Sequence, residues 1–299
     1  MKKTKNRLSG RFMSNPYSII TLVLLAIYVI SLLFPTLWGF ITSFKSNATD
    51  YLSNTLGFPK KWKFGNYVTA FNNYMIPVFK NGQESDYYIE SMLLFSVLYA
   101  VGSAFFSALT CCLAAYATSK FNYKFSKVIY SVVILTMTLP IVGSLPSEIR
   151  TIKALNLYDN MIGMWILKAN FLGLYYLVFF TTFKGLPKDY SEAAYIDGAS
   201  DFTVLFKISL PLVKNIFMTI MLIKFVEFWN DYTVNITYMP SFPTLAYGLY
   251  DYSISTKPQI NNTPMRLAGC FILMIPVFTV FIFTHDRIMS NLSVGGVKE

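Results

Sequence analysis

Apolar residues in this chain come in long runs rather than in the short alternations or one-sided stripes of a soluble domain. A helix needs roughly 20 mostly apolar residues to cross the hydrocarbon of a bilayer. Six runs meet or approach that length: 17–41, 89–117, 128–145, 161–183, 212–237 and 267–288. The pattern predicts an all-α membrane protein, a single transmembrane domain over 1–299 with six spanning helices. A basic head at 1–16, with Lys2, Lys3, Lys5, Arg7 and Arg11, precedes the first run. That run exceeds the roughly 7–15 apolar residues of a signal peptide, and no small-x-small site closes it. It reads as an uncleaved first helix. A polar stretch at 45–88 follows, with turn formers at Gly57, Pro59, Pro77 and Gly82. A charged connector at 184–211 separates the fourth and fifth runs, and a short tail occupies 289–299.

Composition sharpens this picture. Hydrophobic residues make up 54% of the 299 positions and charged residues only 13%, about half the charged share of an ordinary soluble domain. Such a chain lacks the polar surface to cover itself in water. The net charge of +10 does not form a basic stripe of the kind that binds nucleic acid. The lysines and arginines lie between the apolar runs, where they set topology. With the N-terminus inside, the short inner segments carry the basic head, then Lys120, Lys124 and Lys127, then Lys184, Lys188, Lys207 and Lys214. The short outer loops hold only Arg150, Lys153, Lys257 and Arg266. The bias predicts both termini in the cytoplasm, 45–88 outside and 184–211 inside. Cys111, Cys112 and Cys270 fall within apolar stretches at no metal-ligand spacing, so neither metal nor cofactor is expected.

The connector carries more built structure than a passive loop needs. Ser191 is a candidate N-cap for a helix opening at Glu192, whose carboxylate suits the positive helix end. Gly198 offers a stop about two turns later. Val204, Leu205 and Ile208 form a second apolar stripe, and Pro211 opens the fifth run.

At these residues a resemblance becomes specific. Glu192-Ala193-Ala194, three residues, Gly198, nine residues, Ile208, one residue and Leu210-Pro211 match the cytoplasmic motif of permeases in binding-protein-dependent ABC importers. The stretch 58–71 is similar to the start of the first outer loop in carbohydrate permeases of the maltose-importer class. Trp229-Asn230-Asp231 and the glycine-rich ending with Gly295, Gly296 and Lys298 resemble the same subgroup. Asn215 departs from the proline many such permeases place after the Leu-Pro pair. The resemblance implies that Glu192, Ala193, Ala194, Asp197 and Gly198 form a coupling helix seated on a separate cytoplasmic ABC ATPase dimer. It further implies a second permease, an extracytoplasmic solute-binding protein facing 45–88, a carbohydrate substrate, and a tail contact through Gly295, Gly296 and Lys298. The chain has no G-x-x-x-x-G-K-[ST] loop, so nucleotide chemistry belongs to another chain and this one is not itself an enzyme.

Ionisable residues inside apolar runs are the remaining signal. Lys224, Glu227 and Asp231 share one face of a continuous fifth helix, and Lys168 lies within the fourth run. Charges at such depth face protein or a water cavity. One reading has Lys168, Lys224, Glu227, Asn230 and Asp231 line the solute path, with Trp229 stacking on a sugar ring. The other has Lys224 and Glu227 as an internal pair that fixes packing. A different class, a carrier driven by an ion gradient, would show repeated halves. No repeat is evident, and the Glu192 motif would have no role in it.

Overall fold

The computed structural model describes residues 16–80, 82–121, 123–139 and 143–292, and it is mostly α-helical. Two units emerge, one made of the described residues up to 73 with 252–272, the other of 74–251 with those after 272.

In the first unit, helix α1 (Pro16–Ser43) exposes nearly all its large apolar side chains, from Tyr17 to Phe40. An apolar helix bare of protein is stable only with its backbone bonded internally and its side chains in lipid. Beyond it, the start of 45–88 is not a solvated connector. A π-helical turn (Asn47–Tyr51) and helix α2 (Gly65–Asn72) fold around buried Phe44, whose ring meets Trp62, Phe64 and Tyr67 at centroid distances of 5.0–5.3 Å. Two residues read as loop charges, Lys45 and Asp50, are buried. Lys45 Nζ donates to the Asn54 and Thr55 carbonyls at 2.7 and 3.0 Å, and Asp50 Oδ2 accepts from the Lys60 amide at 2.8 Å. The buried charges replace water with backbone dipoles.

The second unit begins with a hairpin, strands β1 (Met75–Lys80) and β2 (Gln83–Tyr88), Met75 opposite Tyr88 and Lys80 opposite Gln83. It corrects the all-α expectation. Ile76 and Val78 bury one face at a spacing of two. Pro77 is tolerated because a two-stranded ribbon leaves one edge unpaired.

Helix α3 (Ile89–Lys120) is the centre of this unit. It is followed by α4 (Lys124–Thr138), α5 (Leu145–Ala154), α6 (Met161–Lys168) and α7 (Leu174–Gly185). Next come α8 (Asp189–Ile196), α9 (Asp201–Thr203), a π segment (Val204–Ser209) and α10 (Leu210–Trp229). Short helices α11 (Thr233–Thr237) and α12 (Leu245–Ile254) precede α13 (Thr263–Leu292). Helix α3 packs against α10, α7 and α6. Its buried side is a ladder of small residues, among them Ser96, Ala100, Ser103, Ala104, Ser107, Ala108 and Ala115, which lets neighbouring backbones come close where lipid removes the hydrophobic drive. Gly102 belongs to the same logic, since a Cβ there would overlap the Trp165 ring.

Three runs expected to be continuous are not. The run 128–145 is helical only to Thr138, and α5 begins at Leu145. The run 161–183 breaks between Lys168 and Leu174, where Asn170 Oδ1 accepts from the Leu172 amide at 2.8 Å and Gly173 adopts φ +152°. The run 212–237 breaks between Trp229 and Thr233. Both of these later breaks sit at Asn or Asp, whose side chains give the backbone an alternative to the helix. Among the described residues, three helical stretches are long and apolar enough to span, Pro16–Ser43, Ile89–Lys120 and Asp201–Trp229.

Candidate functional site

The motif segment folds as an independent short helix joined to a long one. Helix α8 starts at Asp189, three residues before the expected start, so Ser191 lies in its first turn and is not its N-cap. Asp189 and Glu192 place two carboxylates in that turn, which suits the positive end of the helix. The C-terminus follows expectation and shows why. The Gly198 amide donates to the Tyr195 carbonyl at 3.0 Å and the Ala199 amide to Ala194 at 2.9 Å. Those two bonds are a Schellman closure, which requires a left-handed residue at Gly198. Its φ is +80°, while a Cβ there would meet nothing within 4 Å. Dihedral preference, not crowding, selects glycine.

Glu192, Ala193 and Asp197 are exposed, whereas Ala194 is buried against the protein. Ile196 is 86% exposed and Phe202 75%, so the α8–α9 corner carries an uncovered apolar surface beside the carboxylates. Tyr195 Oη donates to Asp201 Oδ1 at 2.7 Å and ties α8 to the next element. This bond, with some burial, pushes the Tyr195 phenol up to about 12. Its contribution is complete below an ordinary tyrosine pKa near 10 and is lost only as pH rises through the higher value. At neutral pH the tie is insensitive to protons. Ser200 then caps the following helix through its Oγ, which accepts from the Thr203 amide at 3.3 Å. From Asp201 to Trp229 the chain is one helical stretch with the π segment inside it.

Of the intramembrane charges, Lys224 and Glu227 pair as one of the two expected readings had it, whereas Asp231 is placed differently. Lys224 Nζ and Glu227 Oε2 lie 2.9 Å apart as a local pair on α10. Asp231 does not share their face, because α10 has ended. Its Oδ2 lies 3.2 Å from Lys168 Nζ, at the end of α6, and accepts from Tyr99 Oη of α3 at 3.1 Å. Its Oδ1 accepts from Thr233 Oγ1 at 2.6 Å and from the amides of Thr233 and Val234, so the same carboxylate starts α11. One side chain thus fastens both helix breaks to the central helix. Both ammonium groups, Lys168 and Lys224, stand 5.6 Å from the centroid of the Phe228 ring. Asn230 caps α10, donating to the Val226 carbonyl at 2.8 Å.

Trp229 is only 5% exposed and packs on Phe225. In this arrangement the ring is covered by protein and offers no open face. Sequence reasoning missed Tyr99 and Thr233. The available signal was a phenol within a ladder of small residues, since a buried tyrosine hydroxyl requires a partner. Gly295, Gly296 and Lys298 lie outside the described residues.

The family profile described as "Binding-protein-dependent transport system inner membrane component" matches residues 110–293. The sulfoquinovosyl glycerol transport system permease protein SmoH of Agrobacterium fabrum is 27% identical over 299 residues, spanning 99% of this chain and 98% of its own. The diacetylchitobiose uptake system permease protein NgcG of Streptomyces coelicolor is 25% identical over 284 residues, spanning 93% of this chain and 88% of its own. A solved structure described as a bacterial ABC transporter involved in the import of the acidic polysaccharide alginate aligns with a TM-score of 0.71. It shares 22% identity and covers 90% of this chain and 95% of that one, so the two share a fold. With the matched profile covering more than half of its length, the chain belongs to the binding-protein-dependent transport system inner membrane components, the permeases of ABC importers.

Proposed function

We propose that this permease forms half of the translocation pathway of an ATP-driven importer of a sugar or oligosaccharide. Six spans with both termini in the cytoplasm place α8 inside, where Glu192, Ala193, Ala194, Asp197 and Gly198 seat on a cytoplasmic ABC ATPase dimer. A second permease completes the path, and an extracytoplasmic solute-binding protein delivers the carbohydrate to the outer face at 45–88. The tail at 289–299, with Gly295, Gly296 and Lys298, adds a contact on the cytoplasmic side. ATP-driven closure of the ATPase pair moves α8, and the stiff stretch behind it tilts the bundle to alternate access. Lys168, Asp231, Lys224, Glu227 and Asn230 border the path at the helix breaks, where bundle motion would remake their pairs. Homologues whose names specify sulfoquinovosyl glycerol and diacetylchitobiose systems support a glycan substrate. Nothing observed favours an ion-gradient carrier.

The observation that carries this reading is the motif folded as a Schellman-closed helix whose Glu192 side chain is exposed. The test is the pair of wild type and Glu192→Lys, each tagged and purified gently from its native membrane. Wild type is expected to retain an ATPase and a second permease. Glu192→Lys should reach the membrane at the same level, lose the ATPase and abolish uptake. Full uptake by Glu192→Lys would remove the coupling assignment.

A further inference from the structure

A cavity of about 780 Å³ lies in the second unit beside the coupling helix. Its walls come from the last turn of α3, the first half of α4, the end of α7 and the near side of α8. Four lysines line it, Lys120, Lys127, Lys184 and Lys188, the last three exposed, against a single carboxylate, Glu192. The two ion pairs found among the described residues involve none of these five. The cavity therefore has three positive charges more than its own acid can match. Lys120 is the least exposed of the four and reaches the Leu186 carbonyl at 3.5 Å, while Lys184 passes 5.8 Å from the Phe180 ring. The Ser191 hydroxyl lies at the same wall, whereas those of Ser119 and Ser126 already donate to the Tyr116 and Phe121 carbonyls.

The positive-inside rule accounts for lysines at this end of the helices, but not for their place around one cavity. Orientation depends on how many basic residues a short inner segment carries, and dispersed side chains would serve equally well. Like charges around one concavity repel, and a bound anion would offset that repulsion most at half-buried Lys120. The cavity also has an apolar side, formed by Phe121, Tyr130 and Phe180. Helix α4, which supplies Lys127 and Tyr130, exposes Val128, Val132 and Leu135 at the spacing of one neighbouring face. A free phosphate has no use for such a wall. An amphiphile does, with its headgroup among the lysines and its chains along α4. Basic pockets between spans on the cytoplasmic side suit anionic headgroups.

We infer that this cavity binds the phosphate headgroup of an anionic phospholipid of the inner leaflet, and that the bound lipid lies against the helix bearing Glu192. The inference rests on the reading that 184–211 faces the cytoplasm, but not on coupling or on the sugar. It ties the charge of the surrounding leaflet to the position of α8, because a phosphate matched by Lys188 and opposed by Glu192 bears directly on that helix.

The test is native mass spectrometry of the purified full-length chain with phosphatidylglycerol and phosphatidylcholine of identical acyl chains, without ATPase or sugar. Wild type should retain phosphatidylglycerol in preference to phosphatidylcholine. Each of Lys120→Gln, Lys127→Gln, Lys184→Gln and Lys188→Gln should weaken that retention roughly fivefold. The control pair Lys207→Gln and Lys214→Gln, exposed lysines outside the cavity, should leave it unchanged. Glu192→Gln should strengthen retention by removing the opposing charge, which a misfolded variant would not do. Equal retention of the two lipids, or phosphatidylglycerol retention untouched in all four lysine variants, would overturn the inference. Displacement of the lipid by millimolar inorganic phosphate would overturn it in favour of a free-anion site. Loss of the lipid when the measurement is repeated on the chain purified with its ATPase would overturn it in favour of a protein seat. Coupling is read separately at Asp197, which does not line the cavity: Asp197→Lys that keeps phosphatidylglycerol but loses the ATPase, or a lysine variant with the reverse outcome, lets the two readings fail separately.

Discussion

At Gly198 and Asp231 single side chains decide the path of the backbone. Gly198 supplies a dihedral that an L-residue adopts at a cost of roughly 1–2 kcal/mol, in open space where nothing else opposes a side chain. Gly198→Ala should therefore loosen the end of α8 and lower uptake several-fold, whereas Gly198→Asn, which tolerates the left-handed region, should retain most of it. Uptake normalised to membrane level checks the order of the two. Asp231 acts through charge and capping together. Asp231→Asn keeps the shape and leaves Lys168 without its carboxylate. Both side chains keep solvent access, 24% for Lys168 and 18% for Asp231, so the expected loss is about 1–2 kcal/mol rather than the several of a fully buried pair. A lower melting temperature in detergent, partly restored by adding Lys168→Met, is the expected result. The motif made Glu192 and Gly198 legible from sequence, since spacing alone locates them. The partner of Asp231 was not, because helical periodicity assigns neighbours only while the helix continues, and here it stops at Trp229.

Among the elements, α3 has the plainest rule. Its small residues recur every three or four positions and all turn inward against α10, α7 and α6. Ala104→Leu should overpack that seam and cost about 1–3 kcal/mol, while Leu94→Ala on the exposed side should cost little. Thermal unfolding of both in the same detergent separates them. Apolar length foresaw α1 and α3 almost to the residue, as each is a single unbroken helix. It failed for the runs 161–183 and 212–237, because length records the solvent a segment prefers and not whether its backbone is continuous. The polar residues that divide them, Asn170 and Asp231, look in sequence like occasional polar positions inside a span. Only their bonds, to the Leu172 amide in one case and to α11 in the other, show that they end helices. The polar stretch 45–88 misled in the opposite direction. Its lysines and aspartates suggested solvent, yet Lys45 and Asp50 are buried by backbone carbonyls and amides that no charge count reveals.

For the whole molecule, the distribution of basic residues makes a claim that labelling can settle. Glu84→Cys, in the β2 strand, should react with an impermeant thiol reagent in intact cells. Asp197→Cys, at the end of α8, should react only once the membrane is opened. Each is read against the unsubstituted chain with its native Cys111, Cys112 and Cys270. The reverse pattern would invert the topology and place α8 away from any ATPase. The two units give the expected pattern structural meaning. One exposes an apolar α1 and carries a folded cap around Phe44, while the other gathers the motif helix, the broken helices and the lysine-lined cavity.

The order of residues by itself determined the solvent of this protein, its orientation signal and its family, because each depends on composition along the chain: apolar length, the placement of lysines, and the fixed gaps from Glu192 to Pro211. Tertiary structure decided where helices stop, which charges meet and which aromatic rings are covered. Lys168 and Asp231 are 63 positions apart, and Trp229 is buried although only one of its ring neighbours, Phe225 one turn earlier, follows from helical spacing. Those outcomes follow from packing across the fold, in which a polar side chain takes whichever partner the assembled helices bring within reach.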